Sequence, residues 1–255
     1  MKKQKIKSKK KQKEFSYLEK SKNSILIIII IFVASILLGI INADSLKSII
    51  NPILEDLIGK TENLNTIGLI TFIFTNNVFS SLLGLFLGIF LGIFPIIVTL
   101  TNGIILGYVL ERTAQISILE LWRIFPHGIF ELPAVFISLG VGLKLGIDII
   151  KNYWKINKNP IIKILGVVSC LTALLGLGVL KLALNNSIGY IFSLFSFILG
   201  LCLIIPFILL FFLTNKDIKK FNLQKIKDSL RIFFSTVIPL LIIAAIIEGV
   251  LITIT

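Results

Sequence analysis

The chain has 255 residues, 56% of them hydrophobic, and a mean hydropathy of +0.98. A soluble domain of this length buries too small a fraction of its surface to hide that much apolar area, so the composition excludes an ordinary soluble protein and points to lipid. The net charge of +13 gathers at the ends of apolar runs, where it reads as an orientation signal and an attraction to anionic lipid, and no nucleic-acid partner is expected.

The first segment, Met1–Lys22, holds ten Lys against Glu14 and Glu19. Residues 1–23 are read as a basic cytoplasmic tail that stays disordered until it meets lipid or a partner. Residues 24–255 form a single transmembrane helical domain. A bilayer core of ~30 Å needs about 20 apolar residues in a helix, and Ser24–Ile41 is just long enough. It exceeds the ~7–15 residues of a signal-peptide apolar region, so an uncleaved anchor is favoured over a cleaved leader.

A more polar stretch, 42–75, follows. Within it Leu46, Ile49, Ile50, Ile53 and Leu57 share one helical face, which suits an extracytoplasmic helix lying in the membrane interface, with Pro52 breaking it in two. The second span is expected at Val78–Leu100, with Asn76-Asn77 marking its boundary or a kink. Gly103–Leu121 is ambiguous, because its second half carries Glu111, Arg112, Gln115 and Glu120. Phe125–Gly146, Ile161–Leu184, Ile188–Leu213 and Ile232–Thr253 are each long enough to cross.

Charge asymmetry decides the ambiguous segment. With the tail inside, a crossing at Gly103–Leu121 puts the five-Lys loop Lys144–Lys163 inside, together with Thr214–Arg231, which has five Lys and one Arg. It leaves 42–75, with four acids and two Lys, outside. Without that crossing both basic loops move outside, against the positive-inside rule. The fold class is therefore an all-α polytopic transmembrane bundle of about seven spans with a cytoplasmic N-terminus, or six if Gly103–Leu121 is re-entrant. The chain is expected in the cell membrane as a multi-pass protein.

Small residues at intervals of four are the clearest packing signal. Ser80, Gly84, Gly88 and Gly92 form one row; Ser138, Gly142 and Gly146 form another. Gly103, Gly107, Gly128 and Gly140 extend the set. Such rows let helix backbones approach closely in lipid. Packing within one chain is the simpler reading, and homo-oligomerisation is the other. Cys170 and Cys202 lie inside apolar runs and read as small packing residues.

The polar candidates are Asn76, Asn77, Asn102, His127, Glu131 and Glu248. In Pro126-His127-Gly128-Ile129-Phe130-Glu131-Leu132-Pro133 the His and Glu are four apart and share a helical face. An intramembrane acid is costly and turns toward protein or water. The pair fits a buried structural contact or a transport or proton-relay site. His127 is the single histidine, and the spacing is not that of a zinc motif, so no metal or other cofactor is expected, and no catalytic constellation stands out. Glu248 lies deep in the last span and needs a partner. Asn76, Asn77 and Asn102 are expected at helix ends, where Asn serves as a cap or turn residue.

These residues, in this order, resemble the stage II sporulation protein M family. The resemblance rests on Asn76-Asn77, the Gly-rich span, Thr101-Asn102-Gly103 with Gly107, Pro126-His127-Gly128-x-x-Glu131-Leu-Pro, Gly140-x-Gly142, and Pro239-Leu240-Leu241-x-x-Ala244-x-x-x-Glu248. It covers roughly Thr75–Gly146 well and the last span moderately. It implies a multi-pass membrane protein. The family's namesake anchors a pair of peptidoglycan-degrading enzymes during engulfment, and relatives in organisms that do not sporulate extend the family beyond that process. The expectation is a non-enzymatic membrane anchor or scaffold for envelope-associated protein partners. The alternative is a transporter or permease subunit with its polar site around His127 and Glu131.

Overall fold

The computed structural model describes residues 2–90, 92–117, 125–156, 158–161, 164, 167–168 and 216–254, and among them every regular element is a helix. α1 runs Lys2–Ile41, α2 Ala43–Thr61, and α3 Thr66–Phe86 with a 3-10 turn at Leu87–Ile89. α4 is Ile93–Ile116 and α5 Phe125–Ile156. α6, Lys216–Ile232, passes through a π-helical turn at Phe233–Val237 into α7, Ile238–Ile254. Five described stretches are long and apolar enough to cross a membrane: Ser16–Ile41, Thr66–Ile89, Ile93–Ile116, Gly128–Ile156 and Lys216–Thr253. The spans expected at Ile161–Leu184 and Ile188–Leu213, and Cys170 and Cys202 with them, fall outside the described residues apart from 161, 164, 167 and 168.

Four expectations need correction. The segment 1–23 does not begin as disordered chain, because α1 starts at Lys2. Lys, Gln and Glu are good helix formers, and neither Gly nor Pro interrupts them before Gly39. Pro52 does not divide α2. Pro52 and Ser48, whose carbonyl the missing N–H leaves free, are both exposed, so that carbonyl is not stranded in the core.

The other two concern the second span and the asparagines. The span is not Val78–Leu100, and no boundary falls at Asn76-Asn77. α3 starts at Thr66, because Asn65 caps it: its Oδ1 accepts the N–H of Gly68 at 2.8 Å. The chain breaks instead beside Gly92, whose φ of 72° favours glycine. Asn102 likewise stands inside α4 rather than at its end, and the ambiguous Gly103–Leu121 resolves up to Ile116 into the second half of α4.

The residues divide into two compact units. The first takes Met1–Gly88, Ile93–Lys144 and Asp228–Thr255. Its helices meet at glycines. A Cβ built on Gly103 would fall 1.8 Å from Ser35 Oγ, and one on Gly107 would fall 2.1 Å from the Ile36 carbonyl oxygen. Gly39 returns the contact: a Cβ built there would fall 2.3 Å from the carbonyl oxygen of Ile104. α1 and α4 therefore run parallel with their backbones touching. α3 and α5 do the same where Gly88 faces the backbone of Gly142, and Ser138 Oγ donates to the Ser81 carbonyl oxygen at 2.7 Å.

α5 runs antiparallel to α1, with Gly140 against Ile25 and the Phe136 ring edge-on to Phe32 at 5.0 Å. α7 runs antiparallel to α3, with Gly249 against Ile70 and Val237 and Leu241 in one core cluster with Leu85. Direction thus alternates along the chain through α1, α3, α4 and α5, as successive crossings require. The π-helical turn precedes Pro239. The N–H of Ile238 bonds back to the carbonyl of Phe233, and this wider turn eases the clash that a proline ring makes with the carbonyl four residues earlier.

The second unit takes Ile89–Gly92 and Leu145–Lys227. Its buried side chains include Ile149 and Tyr153 of α5 and Ile218 and Asn222 of α6. Lys225 Nζ lies 2.7 Å from Asp148 Oδ2 and 5.3 Å from the centre of the Phe221 ring. Both charged groups are mostly buried, so each stabilises the other against desolvation.

The packing makes a contrast that can be measured. Gly107→Val is expected to cost about 3 kcal/mol or more, because the new side chain meets backbone that cannot yield. Gly59→Ala in α2, where an added Cβ meets nothing within 4 Å, is expected to stabilise by about 0.5 kcal/mol. Unfolding of the purified protein in one detergent reads both; equal midpoints for the two variants would refute the packing argument.

Candidate functional site

Glu131 occupies the second turn of α5, and Pro126 sits in the first turn, where a missing N–H costs nothing. Pro133 lies inside the helix and frees the carbonyl of Ile129, which is itself exposed. Glu248 projects from α7 beside Gly249, the residue that presses α7 onto Ile70 of α3. Both carboxyl side chains are half-buried. Glu248 feels the charge of Glu131, so α5 and α7 bring the two acids into one neighbourhood. The sequence showed two isolated acids 117 positions apart; helix packing makes them a pair.

Two carboxyl groups in low-dielectric surroundings repel when both are charged. His127 lies in the first turn of α5, and its side chain falls outside the described residues. Among the described residues no group of three or more His, Cys, Asp or Glu is arranged to hold a metal ion.

The asparagines do not join this pair. Asn76 and Asn102 are exposed and Asn77 is half-buried, and no hydrogen bond links any of them to Glu131 or Glu248 among the described residues. Of the glycines, Gly84, Gly88, Gly103, Gly107, Gly140 and Gly142 stand at helix crossings. Gly128 does not: an added Cβ there meets only Leu132 of its own helix. Gly92 makes the chain reversal instead, and Gly146 is buried in the second unit.

A further polar arrangement carries no signal in the sequence. α2 is held against α4 by Tyr108, which is buried with Ala43 and Ile50 and donates its hydroxyl to Asn51 Oδ1 at 2.5 Å. Arg112 stacks on the Tyr108 ring at 5.3 Å and donates to Asp44 at 2.7 Å and to Gln115 at 2.9 Å. These contacts join residues up to 68 positions apart, and nothing in local spacing announces them. The α1 half of the glycine crossing did carry a signal. Ser35 and Gly39 are four apart, like Gly103 and Gly107, and each pair faces the other.

A family model described as Stage II sporulation protein M matches residues 28–180, more than half of the chain. The matched stretch begins in α1 and takes in α2 to α5, including Glu131; Glu248 lies beyond it. No curated protein and no solved structure matches.

The acid pair predicts non-additivity. Glu131→Gln and Glu248→Gln each remove the repulsion that the other would remove, so the double variant should differ from the sum of the singles by about 0.5–3 kcal/mol. Unfolding of all four proteins in the same detergent measures this, and additivity would show that the carboxyl groups do not meet.

Proposed function

The chain belongs to the stage II sporulation protein M family, and from that premise we propose that it is a non-enzymatic membrane anchor or scaffold that holds envelope-associated proteins. The observation that carries the reading is the family match over 28–180, which takes in the closely packed helices α1 to α5. Backbone-to-backbone crossings make a stiff platform, as a docking protein needs. In this reading the basic N-terminus is cytoplasmic, the chain makes seven crossings of the cell membrane, and α2 lies at the outer surface. Lipid covers the exposed isoleucines and leucines, and partner proteins bind the parts that leave the bilayer.

A second reading has one observation in its favour. Glu131 and Glu248, two acids within electrostatic reach of each other, fit a proton- or cation-handling site in a transporter or permease subunit, since ionisable groups inside a membrane mark such pathways.

Two experiments separate the readings. Affinity purification from gently solubilised membranes is expected to recover wall-acting or other envelope proteins with the chain. Recovery of the chain alone in several mild detergents would count against the anchor. Proteoliposomes are expected to show no flux that depends on Glu131, and flux abolished by Glu131→Gln would favour the transporter.

A further inference from the structure

Asn76 is the eleventh residue of the 24-residue stretch Thr66–Ile89 and so lies close to mid-membrane. Its side chain is exposed and accepts or donates no hydrogen bond among the described residues. The exposed threonines of the same helix are different. Thr71 and Thr75 donate to the carbonyl oxygens of Ile67 and Thr71 at 2.8 and 2.7 Å, so their hydroxyls are satisfied within α3. The Asn42 amide takes the same outlet, donating to the Leu38 carbonyl oxygen at 2.9 Å; Asn76 does not, and in hydrocarbon there is no water to take its place.

Exposed apolar side chains around Asn76 say nothing about a partner, because lipid covers them. The amide does. It sits beside Phe79, 62% exposed, and Leu83, 37% exposed, with exposed Ser80 one turn further along. Asn76, Phe79 and Leu83 are turned away from the side of α3 that packs on α5 through Gly84 and Gly88, and Ser80 borders that side. Asn102 is also exposed, but Val98, Ile105 and Leu106 around it are half-covered. The open face is that of α3.

We propose that the Asn76–Ser80–Leu83 face of α3 is a self-association surface on which a second copy of this chain docks, with the two Asn76 amides hydrogen-bonded across a two-fold axis. The choice of occupant follows from the chemistry. An amide carries one acceptor and two donors, so two of them placed about a two-fold axis satisfy each other without any other group. An isologous contact of this kind closes at two copies. Ser80, small and one turn from Asn76, leaves room for the second helix to approach. Asn76, Phe79 and Leu83 take no part in the intramolecular glycine crossings, and Ser80 stands one turn before the first of them.

Energy transfer between donor- and acceptor-labelled full-length chains in lipid vesicles, at increasing lipid-to-protein ratio, tests the proposal. The native chain is expected to dimerise. Asn76→Ala should weaken association about tenfold, Asn76→Gln should retain most of it, and Asn102→Ala should leave it unchanged. A second measurement guards against misfolding: in a Cys170→Ala, Cys202→Ala background, Asn76→Cys should give a disulfide-linked species of twice the chain mass. A monomer at every dilution would overturn the proposal, as would loss of association in Asn102→Ala but not in Asn76→Ala. So would a crosslink from Asn76→Cys to a retained Cys170 or Cys202 within one chain, which would make the occupant a segment of the same molecule.

Discussion

Close backbone approach at glycines is the constraint on which the first compact unit depends. Lipid tails are as apolar as leucine, so there is little hydrophobic gain in bringing two spans together. What remains is van der Waals contact, and its strength falls steeply with any gap between the surfaces. Gly39, Gly103 and Gly107 bring α1 and α4 into backbone contact, and Gly88 and Gly142 do so for α3 and α5. Two pairs that touch so closely leave no freedom to slide. Each fixes the height at which every other side chain of its helices meets its neighbours.

That registry explains where the polar groups go. Ser138 reaches the Ser81 carbonyl because the neighbouring crossing at Gly84 and Gly88 holds the helices at hydrogen-bonding distance. Ser35 and Thr99, both buried, turn back on their own helices and donate to the carbonyls of Phe32 and Pro95. Glu248 stands next to Gly249, so the contact that seats α7 on α3 also sets the height of its carboxyl group. At the end of α4 the logic is different. Tyr108, Arg112 and Asn51 combine ring stacking with hydrogen bonds, and they hold an amphipathic helix that no glycine anchors.

Local chemistry was legible wherever one residue type acts alone. The apolar runs showed that the chain enters lipid. The small residues of α3 and α5 marked a crossing, and Pro126 marked the start of α5. Local sequence and structure part where two local signals compete. The row Ser80, Gly84, Gly88, Gly92 looks like one continuous face, yet its last glycine is a reversal, because a residue without a Cβ serves close contact and positive φ equally well. Asn65 is the residue that caps α3, while the sequence points to Asn76 and Asn77 as boundary residues, since an asparagine inside a span is costly and a helix end is its cheaper place.

By itself, then, the sequence determined that this is a helical membrane protein, which family it resembles, and which of its helices have faces smooth enough to touch. Those properties follow from composition and from spacings within a few turns, which any helix displays along its own axis. The tertiary structure decided which faces meet: α1 with α4 in parallel, α3 with α5, and α7 against α3. It decided that Glu248 comes within electrostatic reach of Glu131, that Asp44 answers Arg112, and that Asn76 faces outward. The reason is physical. A helix can seat a smooth face on several partners, and the choice among them depends on side chains far apart in sequence that come within reach of each other only when the bundle closes.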